Sequence, residues 1–315
     1  MKDSAYAFAV SAVRVRENGL LSRNQMESLI TAADDGAALR LLEDFGYKGI
    51  TSDAEKALSD RISYVTDFVT DVAPDKDLLL FLFVNNDFHN LKAAMKCSVS
   101  GIDPEPYFLP AVSVGTDEIK KIVAEKKFAD LPELLRQPAA EAWNVLVSTM
   151  NGQNCEVILD RAAIEASVSI AQSAGDEFCT GLAKLRRKCA AFLIAYRCAV
   201  SEKTADFINT ALPETDAPAK RTLLTTALSG RDAVLSLAEG LGFGLPAGAE
   251  ASDITAASNK LEDEYMARSA FVSMGIAPVI SYYLRSVREV EMIRVILSCK
   301  RCGLSDDICR KRAGL

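Results

Sequence analysis

The sequence predicts an all-α protein, and three observations carry that expectation. Apolar residues recur at steps of three and four along most of the 315 residues, the spacing that keeps one face of a helix turned toward a core. No run of four to eight residues alternates β-branched with polar side chains, so a sheet has no good candidate strands. Finally, Cys97, Cys198 and Cys299 stand 101 residues apart, and one helical stripe precedes each. In that register Phe81 matches Leu182 and Tyr283, Val84 matches Leu185 and Ser286, and Phe88 matches Cys189 and Val290. Leu91 likewise matches Phe192 and Ile293, and Met95 matches Tyr196 and Leu297; of these fifteen places only Ser286 is not apolar. The recurrence divides the chain into three related helical units, residues 1–105, 106–210 and 211–315, each ending in one long helix.

The elements follow in order. Tyr6, Ala9, Val10 and Val13 form the stripe of a first helix, flanked by Arg14 and Arg16 and stopped near Gly19. Ser22 with Gln25 makes a capping box for a helix carrying Met26, Leu29 and Ile30. Asp34-Asp35 starts the next, with Leu39, Leu42 and Phe45 inward and Gly46 closing it. Ser52 with Glu55 reads as a second box, opening a helix through Leu58, Ile62, Val65 and Val69 to Asp71. Pro74 reads as an N1 proline that begins the first long stripe helix.

Pro104, Pro106 and Pro110 break the chain and mark the first boundary. A short helix follows Thr116, a stretch from Leu131 to Leu146 is interrupted at Pro138, and a longer helix runs from Cys155 to Gln172. The second stripe helix spans Asp176 to about Val200, and the prolines between Leu212 and Pro218 mark the second boundary. Short helices at 219–228 and 232–239, a longer one at 253–271, and the third stripe helix from Ala277-Pro278 to Cys302-Gly303 complete the chain.

Composition narrows the function. A net charge of −7 and a pI near 5.1 argue against nucleic acid, whose phosphates need concentrated Lys and Arg. The last 31 residues, from Arg285, run against that average with eight basic and four acidic side chains. This basic end reads either as a solvated tail on an ordinary surface or as a contact with an acidic partner or a membrane surface, for which Lys300, Arg301, Arg310, Lys311 and Arg312 are the candidates. Eight cysteines in a chain of this length suit buried thiols in a reducing compartment. The weakly apolar run Ser4 to Val13 has the wrong flanks for a secretory leader, and the uncharged run from Ser269 to Leu284 is too short and too broken by Gly275 and Pro278 to span a bilayer.

Catalytic chemistry has little to stand on. His89 is the single histidine, which removes HExxH zinc sites and multi-histidine cages, and its place near Asp87 and Asn90 reads as a polar contact. No GxxxxGK[ST] loop exists, and the glycines from Gly240 to Gly248 lack the following lysine, so no nucleotide site is expected. Cys299, Cys302 and Cys309 fall short of four zinc ligands. Asp34-Asp35 and Asp306-Asp307 lack the third carboxylate of an isoprenoid-type magnesium site and read as helix N-terminal acids. No cofactor, metal or catalytic residue is assigned.

Four blocks then resemble a known family. Tyr6 to Arg16, Leu20-Leu21-Ser22-Arg23, Asp87-Phe88-His89-Asn90-Leu91-Lys92, and Pro278-Val279-Ile280-Ser281-Tyr282-Tyr283-Leu284 with Glu289, Glu291, Arg294 and Ile296 look like the C subunit of the prokaryotic V-type rotary ATPases, whose eukaryotic counterpart is the d subunit. The likeness covers nearly the whole chain; the cysteines at 97, 198 and 299 depart from the family pattern. It implies three pseudo-threefold helical repeats arranged as a funnel, acting as a non-catalytic central-stalk coupler. Its implied partners are the D- and F-type rotor subunits and the membrane proteolipid ring, its place the cytoplasmic face of the membrane, and its process proton or sodium transport. The rival reading of a different class is a free-standing helical adaptor that docks protein partners without any dependence on rotor subunits.

Overall fold

Among the described residues, 2–110 and 112–314 of a computed structural model with backbone alone for 2–4, every regular element is helical. The chain forms two compact units: residues 1–76 together with 266–315, and residues 77–265.

The first unit begins with α1 (Lys2–Glu17), which buries Tyr6, Ala9, Val10 and Val13 as its stripe requires. In α2 (Arg23–Ile30) the capping box is complete, Ser22 accepting from Gln25 N while the Gln25 side chain accepts from Ser22 N. Asp34 caps α3 (Asp35–Asp44), which buries Ala38 and Leu42 and ends before Gly46 at φ 103°. Leu39 and Phe45 are half-buried against the same core. The expected box at Ser52 lies one residue off. Asp53 caps α4 (Ala54–Val72), its carboxylate accepting from Lys56 N at 3.0 Å, because an ionised carboxylate suits the positive end of a helix. With Lys56 at the third position, no reciprocal acceptor exists.

Pro74 does not open a helix. Asp75, next to it, accepts from the Tyr6 hydroxyl at 2.9 Å, which fixes this segment on α1, and a 3-10 turn over Lys76–Leu79 intervenes before α5 (Leu80–Ser100) starts the second unit.

There, α6 (Thr116–Glu125) buries Ile119, Ile122 and Val123. The predicted interruption at Pro138 is absent: α7 (Glu133–Thr149) runs straight through it. Pro138 sits in the second turn, so its missing N–H costs the helix one bond, that to the carbonyl of Leu134, close to the helix start. Asn151 caps α8 (Gly152–Ser173) and Asp176 caps α9 (Glu177–Val200). Inside α9, Gly181 leaves room for Tyr265, whose hydroxyl donates to Phe178 O at 3.1 Å; an added Cβ would stand 2.0 Å from that hydroxyl. A helix the sequence does not announce, α10 (Ala205–Ala211), is capped by Thr204 and is too short to display a period. Then come α11 (Ala217–Ser229), α12 (Arg231–Leu235) and α13 (Ala251–Ala267).

The chain closes on its beginning. In the first unit α14 (Ala277–Arg301) packs on α1, α2, α3, α4 and the terminal α15 (Asp306–Ala313). Val290, Ile293, Ile296 and Leu297 of α14 share one cluster with Met26, Leu29, Ile30, Leu42 and Leu58. Tyr282 meets Phe68 edge to face at 5.8 Å. In the second unit Leu91 of α5 is packed with α6, α7 and α8, and Phe192 of α9 with α10 to α13. Every stripe position is buried except the half-buried Leu185. Even Ser286 is, its hydroxyl satisfied by the Tyr282 carbonyl one turn back.

Leu91, Phe192 and Ile293 are each fully buried, in three different clusters. Truncating any one to Ala should lower stability by about 2–5 kcal/mol in urea unfolding followed by circular dichroism. A neutral outcome at one of them would refute its place in the stripe.

Candidate functional site

The polar side chains of the long helices are spent on holding loops. On α5, four of them grip residues 107–114. Asn90 makes a two-point pairing with Leu109, its amide donating to Leu109 O at 2.9 Å and its oxygen accepting from Leu109 N at 2.7 Å. Asn86 donates to Pro110 O at 2.7 Å. Asp87, fully buried, accepts from Ser113 N at 2.8 Å, Val114 N at 3.0 Å and the Ser113 hydroxyl. His89 Nε2 lies 3.1 Å from Tyr107 O; a carbonyl can only accept, so that nitrogen carries the proton. Beyond the 3-10 turn at Glu105–Tyr107, these side chains of α5 pair with the backbone of the connector.

This explains the block from Asp87 to Lys92 residue by residue. Asp87, His89 and Asn90 face the connector, Phe88 and Leu91 enter the core, and Lys92 pairs with Asp160 of α8 at 2.7 Å.

The C-terminal block does the same in the first unit. Glu289, 3% exposed, accepts from Leu21 N and from the Tyr47 hydroxyl, both at 2.5 Å. It thereby ties α14 to the turn before α2 and to the turn after α3. Arg61 lies over the Tyr47 ring at 5.7 Å, and burial, ahead of the charge of Glu289, pushes the Tyr47 hydroxyl pKa up. Arg294 makes a bidentate pair with Glu55 of α4.

Asp87 and Glu289 occupy one register position, two steps of 101 residues apart, and Lys188 stands between them. Lys188 in turn donates to Leu241 O at 2.9 Å. At this position each stripe helix therefore carries a charged group that reaches the backbone of a loop packed against it, although the charge differs. The stripe register rests on apolar positions alone; the same step applied to polar residues marks all three.

The five basic candidates lie at the end of α14 and on α15. Lys300 is turned inward to Asp306 at 2.9 Å, with 8% of its side chain exposed. Arg301 pairs with Asp35 at 3.1 Å, and Arg310 pairs with Glu27 at 3.1 Å and Asp307 at 2.9 Å. Lys311 and Arg312 are exposed. The structure thus uses Lys300, Arg301 and Arg310 to fasten α14 and α15 within the first unit. Nearby, Cys299 and Cys309 are buried and Cys302 is exposed; burial, followed by Cys299, pushes the Cys309 thiol up to about 11, far from a reactive thiolate. Among the described residues no group of His, Cys, Asp or Glu is arranged to hold a metal, and no helix is long and apolar enough to cross a membrane.

Burial raises the Asp87 pKa above its ordinary 3.8, and the bonds from Ser113 and Val114 only partly offset this. Between that value and the raised one the folded state holds the proton and the unfolded state does not. Stability from this group is therefore complete below the unfolded pKa and lost as pH rises through the folded one. Asp87→Asn keeps an acceptor for both amides and should cost under about 1 kcal/mol, whereas Asp87→Ala strands them and should cost about 3 kcal/mol. Urea unfolding over a pH series should show the fall in wild type exceeding that in Asp87→Asn; parallel curves would contradict the assignment.

Comparison with known proteins gives two findings. The sequence profile of the family described as ATP synthase (C/AC39) subunit matches residues 9–312. The C subunit of the V-type sodium ATPase of Enterococcus hirae is 21% identical over 168 residues, covering 52% of this chain and 51% of that protein. The match thus spans about half the length of that relative.

Proposed function

The chain belongs to the ATP synthase (C/AC39) subunit family, the family of V-type ATPase C subunits, and from that premise we propose that it is the non-catalytic central-stalk component that couples the rotor shaft to the membrane proteolipid ring. The observation that carries this reading is a family match running from residue 9 to residue 312. Its partners are then the D- and F-type rotor subunits on one side and the ring on the other, at the cytoplasmic face of the membrane, in a machine that moves protons or sodium ions. The pseudo-threefold repeat at 1–105, 106–210 and 211–315 belongs to the same proposal; it is supported by Leu91, Phe192 and Ile293 lying in three different clusters, each of which joins one stripe helix to helices of another repeat.

A spacer between a narrow shaft and a wide ring must transmit twist without yielding. Close-packed helices resist deformation, and loops clamped by buried polar groups remove the weakest places. Two further observations favour a mechanical role: the buried carboxylates Asp87 and Glu289 are fully engaged in holding backbone and hydroxyl donors, and the motif blocks of the family coincide with these clamps.

In a complex from which this protein is missing, the catalytic head should still hydrolyse ATP while ion transport is abolished; pumping at the normal rate would end the coupling role. For the basic segment Lys300, Arg301, Arg310, Lys311 and Arg312, the informative variant is Arg312→Glu, because reversing Lys300, Arg301 or Arg310 also breaks internal ion pairs. That variant should weaken assembly in a salt-dependent way while the isolated chain melts as before. Assembly unchanged across a salt series would remove the segment from the interface.

A further inference from the structure

We propose that a cavity beside α9 in the second unit binds an amphiphilic organic anion, a phosphate or carboxylate head on a short apolar body. This inference stands apart from the rotor reading.

The cavity has a volume of about 520 Å³ and is walled by α9, the start of α11 and the stretch from Ser236 to Leu241. That size lies within the range of small-molecule sites. Lys184, Arg187 and Lys188 line it from α9, at spacings of three and four residues that place all three on one face. Elsewhere on the surface the basic side chains are commonly matched to carboxylates, and Arg186, the neighbour of Arg187, is held by Glu262 at 3.1 Å. Lys184 and Arg187 have no ion-pair or hydrogen-bond partner among the described residues. Lys188 is fixed by its bond to Leu241 O and by the Phe243 ring 5.9 Å away, so its charge is anchored at the rim.

One carboxylate lines the cavity. Asp216 caps α11, with Oδ1 accepting from Ala219 N at 2.8 Å, so it is already committed to the helix terminus. Three like charges on one turn repel each other, and an anion placed among them converts that repulsion into attraction. Below the charges, Leu223, Leu237 and Leu241 contribute an apolar wall. A bare phosphate would use the cations and leave this wall wet; a neutral amphiphile would use the wall and leave the cations unmatched. An anion with an apolar tail uses both.

The test is calorimetric titration of the full chain with octyl phosphate below its micelle concentration. Octyl glucoside supplies the tail without charge, and inorganic phosphate the charge without tail. Octyl phosphate should bind saturably, more tightly than either control and more weakly as salt rises. The double variant Lys184→Gln with Arg187→Gln should fold as wild type, since neither side chain has a partner to lose, and should bind octyl phosphate about tenfold or more weakly. Co-sedimentation with phosphatidylglycerol vesicles separates the sources of such an anion: capture of the chain, lost in the double variant, points to a membrane lipid, and binding of octyl phosphate alone to a soluble amphiphile. No saturable binding, equal binding of octyl glucoside, or unchanged affinity in the double variant would overturn the proposal.

Discussion

A loop that packs on a buried helix face loses water from its amides and carbonyls, and each must find a partner in the protein. Much of this structure answers that constraint. The connector at 107–114 follows Pro104 and Pro106 and contains Pro110, and Asn86, Asp87, His89 and Asn90 supply donors and acceptors to it from the adjacent helix. The turns at Leu21 and Tyr47 bring a free amide and a hydroxyl to α14, and Glu289 receives both. Where the loop offers a carbonyl, as at Leu241, the matching side chain is Lys188. The sign of the charge follows the backbone group presented, which is why one register position holds Asp, Lys and Glu.

That answer has an energetic side. A buried carboxylate is tolerable when several donors meet it, yet burial still dominates over the hydrogen bonds at both Asp87 and Glu289 and raises their pKa. These residues therefore contribute chiefly by fixing where a loop lies. The apolar clusters supply the bulk of the stability and leave register among near-equivalent packings less determined; the clamps select one.

Much of this is legible in the sequence, and the misses have physical causes. The helices, the stripe residues and the capping box at Ser22 follow from periodicity and short-range chemistry, which a sequence displays directly. The cap at Asp53 is displaced from the expected Ser52 because both are good cap residues and the difference lies in the local backbone. Pro138 reads as a break because proline removes one hydrogen bond, but that single bond is lost near the start of α7 and the helix continues past it. The clamps are hidden for a different reason. Glu289 meets Leu21 and Tyr47 across more than 240 residues, and nothing local in the sequence marks such a pairing. The pairing of Arg301 and Arg310 with Asp35 and Glu27 is equally invisible there, so a run of basic residues looks more available than it is.

The return of α14 to the first unit also sets an order on synthesis. Met26, Leu29, Ile30, Leu42 and Leu58 complete their cluster with Val290, Ile293, Ile296 and Leu297, and about 230 residues separate Leu58 from Val290. At roughly 5–20 residues per second, the ribosome delivers the missing helix about ten to fifty seconds after the first half of that core has emerged. Residues 77–265 are made in the interval and have every element of their own unit in hand. Translation therefore completes residues 77–265 while the apolar faces of α2, α3 and α4 still lack their partner α14.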